Sequence, residues 1–70
     1  MSKSEIRDFL IECKPCIKLN TFCKMVNINQ STLSLFMRSN ENDYMISHDK
    51  LIELVSIITN YMYELVDNFA

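Results

Sequence analysis

None of the 70 residues is glycine, and Pro15 is the single proline. Average usage of about 7% would give a chain this long roughly five glycines. Every tight connection must therefore be made by a residue that carries a Cβ, and asparagine is the substitute that best tolerates a left-handed backbone. The same absence excludes whole function classes. There is no glycine-rich phosphate loop, no dinucleotide-binding fingerprint and no Asn-Gly hairpin turn. An apolar content of 49% with a net charge of −2 excludes a disordered chain. The length suits one domain over residues 1–70, and such a domain buries only about 60% of the surface its unfolded chain exposes, so a partner is expected. No apolar run approaches the roughly 18 residues of a membrane span, and Met-Ser-Lys-Ser-Glu does not read as a signal peptide. The expectation is a soluble, cytoplasmic protein with no membrane partner.

The periodicities are helical throughout. Ile6, Phe9, Leu10 and Cys13 repeat at the spacing of one buried helix face, which predicts a first helix from about Lys3 to Lys14. Ser4 or Ser2 can cap it, and Pro15 ends it. A second helix is expected from a cap at Asn20 through Val26, with Phe22, Cys23 and Val26 inward. Asn27 is then the left-handed turn residue, Ile28 returns to the core, and Asn29 caps a third helix over Gln30 to Arg38. Leu33, Phe36 and Met37 are its inward set. Ser39 to Asp43 reads as a polar loop with Tyr44, Met45 and Ile46 tucked beneath it. Ser47 caps a long last helix, about 47–69, with Ile46 and Leu51 spaced as a hydrophobic staple. The fold class expected is all-α, a compact domain of four or five helices.

Charge is divided unevenly along the chain. Residues 1–38 carry six cations against three acids, a net +3, whereas residues 39–70 carry one cation against six acids, a net −5. From Lys14 to Arg38 there are four cations and no acid. An anionic partner for the first half follows naturally.

Residues 19–38 hold the most information: helix, tight turn at Asn27, second helix, with the small Cys23 where the two approach. This segment resembles the helix-turn-helix of the phage lambda repressor and Cro family. The preceding helix and the helix opening Ser47-His-Asp-Lys-Leu-Ile-Glu-Leu fit that family's layout. Asn27 departs from the family's usual glycine, and Cys23 from its usual alanine. The resemblance implies a sequence-specific transcriptional regulator, a repressor, of a phage or mobile element, bound as a homodimer to a palindromic double-stranded DNA operator. Carried over residue by residue, Asn29, Gln30, Ser31 and Ser34 would face base edges, and Gln30-Ser31 is similar to the family's base-reading pair. Leu35 would meet a thymine methyl, and Asn20 and Thr21 would contact phosphate with Lys18, Lys24 and Arg38 nearby.

Two further patterns concern chemistry and assembly. Cys13-Lys-Pro-Cys16 with Cys23 and His48 can be drawn as a zinc site, but a lone C-x₂-C pair is weak metal grammar. Cys13 and Cys23 fall on apolar faces as small hydrophobes, so no metal, disulfide or cofactor is expected. No nucleophile, base and orienting group stand together, which argues against an enzyme. The last helix has twelve apolar residues between Leu51 and Phe69 and one narrow polar stripe. Leu51, Leu54, Val55, Ile58, Met62 and Leu65 suffice for one stripe facing the motif. Ile57, Tyr61, Tyr63, Leu65 and Phe69 are the expected dimer contacts. An alternative function follows from the acidic half: a small anti-defence or inhibitor protein that binds a host or phage protein through residues 39–70.

Overall fold

A computed structural model describes the backbone of residues 1–69 and the side chains of residues 1–67. The chain is all-α: α1 spans Lys3–Cys13, α2 Leu19–Met25, α3 Gln30–Arg38 and α4 His48–Phe69, with a 3₁₀ helix over Asn40–Met45. The expected Phe69 contact lies outside the described side chains.

Local chemistry sets each boundary. Ser2, one of the two caps considered, starts α1 through a full capping box: its hydroxyl accepts from the Glu5 amide at 3.1 Å, and its own amide donates to the Glu5 carboxylate at 2.9 Å. These bonds hold the Glu5 carboxyl below its ordinary value, the Ser2 amide contributing most. Pro15 follows directly on the C-cap, Lys14. Asn29 caps α3, its carboxamide oxygen accepting from the amides of Ser31 and Thr32 at 2.8 and 3.4 Å. Ser47 caps α4 through Lys50, whose amide donates to its hydroxyl at 3.3 Å. Ile46 and Leu51 flank that cap as buried residues, where a hydrophobic staple requires them.

Three expectations need correction. The second helix starts at Leu19 rather than being capped by Asn20. Lys18 occupies the cap position with no side-chain hydrogen bond, and Asn20 is exposed in the first turn. The polar loop after α3 is instead a 3₁₀ helix, started by the Ser39 hydroxyl accepting from the Glu41 amide. Tyr44 does not tuck beneath it: it is 82% exposed, while Ile46 alone of that trio is buried.

All the helices feed one core. Ile6, Leu10 and Cys13 of α1, Phe22 and Cys23 of α2, Leu33 and Phe36 of α3, and Leu51, Leu54 and Ile58 of α4 meet around Val26, Ile28 and Ile46. α1 packs on α3 and α4, and α2 packs on α4. Phe9 and Met37, expected inward, are half-buried against this cluster. Fully burying one such aliphatic side chain contributes roughly 1.5–3 kcal/mol, so the ten helix positions and the three linker positions carry most of the stability.

α4 runs without a break through Thr59 and Asn60. Its inward stripe is fully covered at Leu51, Leu54 and Ile58 and then loses cover: Met62 is 37% and Leu65 38% exposed. The expectation that Met62 and Leu65 pack on the motif is therefore not met. Ile57, assigned to the partner contact, is half-buried against the chain's own core.

Candidate nucleic-acid interface

The joint between α2 and α3 decides how the candidate site is presented. Asn27 adopts φ 60°, the left-handed conformation expected of it. Around it the Ile28 amide donates to the Cys23 carbonyl at 2.9 Å and the Asn27 amide to the Lys24 carbonyl at 3.4 Å. This is the Schellman arrangement, and its hydrophobic contact is supplied by Ile28 and Cys23, both buried. Lys50 adds a bond that sequence reasoning missed: its ammonium reaches across from α4 and donates to the Val26 carbonyl at 2.9 Å. The turn is thus held from both sides.

The far end of α3 is anchored by Arg7, also missed. Arg7 is 8% exposed, and its guanidinium donates to the Phe36 carbonyl at 2.9 Å and to the Ser39 carbonyl at 3.4 Å, and pairs with Asp43. It also lies over the Phe36 ring, 4.7 Å from the centroid. Its position three residues before Leu10 puts it beside the inward face of α1, the one sequence signal that points to its burial. Lys3 reinforces the same region by donating to the Asp43 carbonyl at 2.7 Å.

With its two ends fixed, α3 presents a polar face. Gln30, Ser31, Ser34, Leu35 and Arg38 are all exposed, as expected, Leu35 at 37%. Gln30, Ser34 and Arg38 recur every four residues and line a groove of about 720 Å³ together with Lys18, Asn20 and Thr21 of the α2 start. Lys14 stands at the same groove, whose floor includes Ile17 and Leu33. Six of the ten expected DNA contacts therefore converge. Ser31, Leu35 and Lys24 are exposed outside that groove. Asn29 is modified in role: its carboxamide oxygen is occupied by capping, so only its NH₂ remains to meet a base, and bidentate pairing with adenine falls to Gln30.

The cations sort themselves by partner. Lys3, Arg7 and Lys50 are engaged with carbonyls or carboxylates of the fold. Lys14, Lys18, Lys24 and Arg38 are exposed and, among the described residues, pair with no carboxylate. All four belong to the acid-free stretch. Lys24 and Arg38 also sit in the last turns of α2 and α3, where the helix dipole favours positive charge.

The cysteines are placed as structural groups. Cys13 and Cys23 are buried and Cys16 is exposed, all as free thiols. Burial pushes both buried thiols up, and the negative charges available to Cys16 and Glu12 add to the effect at Cys13. Such thiols are poor nucleophiles near neutral pH. Among the described residues no three His, Cys, Asp or Glu side chains gather where they could hold a metal ion. No helix there is long and apolar enough to cross a membrane. Comparisons with protein-family models, curated proteins and solved structures give no match.

Proposed function

We propose that this protein is a sequence-specific DNA-binding regulator that acts as a homodimer on a palindromic operator. The observation that carries the reading is the groove beside α3. Six expected contact residues converge there, and the four cations without a carbonyl or carboxylate partner among the described residues all belong to the same acid-free stretch. In this reading α3 enters the major groove. Gln30, Ser31 and Ser34 meet base edges, Leu35 meets a thymine methyl, and Asn29 donates through its free NH₂. Lys18, Lys24 and Arg38, with Asn20 and Thr21, contact phosphates and fix register without reading sequence. A net charge of −2 suits a protein that relies on a few placed cations rather than on bulk attraction. The resemblance of residues 19–38 to phage repressors supports a role in a phage or other mobile element.

Two substitutions separate reading from positioning. Gln30→Ala is expected to cost about 1–3 kcal/mol and to relax preference at one base pair. Lys24→Ala is expected to weaken all sequences alike and to lower the salt dependence by about one phosphate. Binding isotherms on sites enriched from a random DNA pool test both. Equal losses on every sequence for Gln30→Ala would remove it from the base-reading set.

A further inference from the structure

Ile58 is the last residue of the inward α4 stripe that its own chain covers completely. Beyond it the same face continues as Tyr61, Met62 and Leu65, which are 41%, 37% and 38% exposed, and Tyr63 and Val66 flank it in the open. A helix of 22 residues is about 33 Å long. The domain is 40 Å in its long direction and 21 Å across, so the end of α4 overhangs the globule.

A cleft of about 510 Å³ opens where the overhang begins. Pro15, Ile17, Lys18 and Thr21 form it with Phe22 and Tyr61, whose rings meet edge to face at 5.3 Å. Its lining is largely apolar and contains one cation and no acid. The overhang is apolar too but carries the opposite charge, with exposed Glu64 and Asp67 and no cation after Lys50. Within one chain no ion pair joins Lys18 to either carboxylate. Pairing two overhangs with each other alone would gather four carboxylates without a cation and leave both clefts open.

We infer that each cleft receives the α4 overhang of a second copy, reciprocally about a twofold axis, with Lys18 of one chain facing Glu64 of the other. The inference rests on the homodimer in the proposed function and specifies its surface. It places the segment from Pro15 to Thr21 at the dimer contact as well as beside the DNA-facing groove, since Ile17, Lys18 and Thr21 line both. Dimerisation and the positioning of Lys18 and Thr21 are then one event.

Sedimentation equilibrium of the full chain, without DNA, tests this with Lys18→Glu and Glu64→Lys. Both positions are exposed, so the fold is retained, and circular dichroism checks it. Each variant alone places two like-charge contacts in the dimer and should raise its dissociation constant about ten-fold. An equimolar mixture of the two recreates both opposite-charge contacts between chains and should return the wild-type average mass. An intrachain contact could not be restored by mixing. Variants that weaken the dimer without rescue, or that dimerise as wild type does, overturn the cleft while leaving the homodimer standing. A wild-type chain that stays monomeric at these concentrations overturns both.

Discussion

Replacing Arg7 with methionine should destabilise the fold far more than a surface arginine would. The substitution keeps a long apolar stem over Phe36 but removes the guanidinium bonds to the Phe36 and Ser39 carbonyls and the pair with Asp43. Hydrogen bonds from a charged donor are worth about 1.5–3 kcal/mol each, and the buried Phe36 carbonyl is left with one partner fewer. Two effects pull the figure down. The guanidinium no longer has to be desolvated, and the Asp43 side chain, 36% exposed, can turn to water. The balance is a loss of about 2–4 kcal/mol, against a total of about 4–10 kcal/mol for a domain of this length. Thermal unfolding should then shift down by about 10–30 °C. Asp43→Asn should cost no more than about 1 kcal/mol, because a partly exposed pair is screened. Urea denaturation of the two variants beside wild type measures both effects. A loss below about 0.5 kcal/mol for Arg7→Met, the range of ordinary surface changes, would show that the guanidinium contacts do not hold the fold.

Two further perturbations probe the turn and the first cap. Asn27→Val should cost about 1–2 kcal/mol, since a β-branched residue is forced to positive φ, whereas Asn27→Gly should stay near wild type as relief of strain offsets a freer unfolded chain; urea midpoints decide. The Glu5 carboxyl should titrate below its ordinary value by NMR and return toward it in Ser2→Ala. Because its folded pKa is depressed, the stabilisation it reports is present above the unfolded value and disappears as pH falls through the folded one. Glu5→Gln should accordingly flatten the pH dependence of stability in that acid window.

Much of the fold was legible because it depends on neighbours in sequence. The α1 face, the Asn27 turn, the Asn29 cap and the Ile46–Leu51 staple each involve residues within seven positions, where side-chain type and spacing determine the outcome. The exposed polar set on α3 followed from the same periodicity. What escaped were contacts with backbone carbonyls that only tertiary approach creates: Arg7 on Phe36, Lys3 on Asp43 and Lys50 on Val26. A carbonyl has no sequence signature, so these cations read as surface charge. Asn20 has the chemistry of a cap for α2, yet the chain leaving Pro15 has already turned into the helix at Leu19. The apolar ring of Tyr44 favours burial by residue type, yet it is 82% exposed while Ile46, two residues on, is buried. The overhang of α4 marks the limit of periodicity: the stripe continues past Ile58, but whether its own chain reaches that far depends on the domain's width.

The proposed function requires that α3 and its flanking cations read DNA sequence. The most direct test is a titration of the full chain against two duplexes, a palindromic site enriched from a random pool and a scrambled duplex of the same composition, over a range of salt. A preference of at least about a thousand-fold for the enriched site is expected at physiological salt. Affinity for both duplexes should fall as salt rises, with a slope set by the few phosphates that Lys18, Lys24 and Arg38 can neutralise. Equal affinity for the two duplexes, or no binding even at low salt, would contradict it.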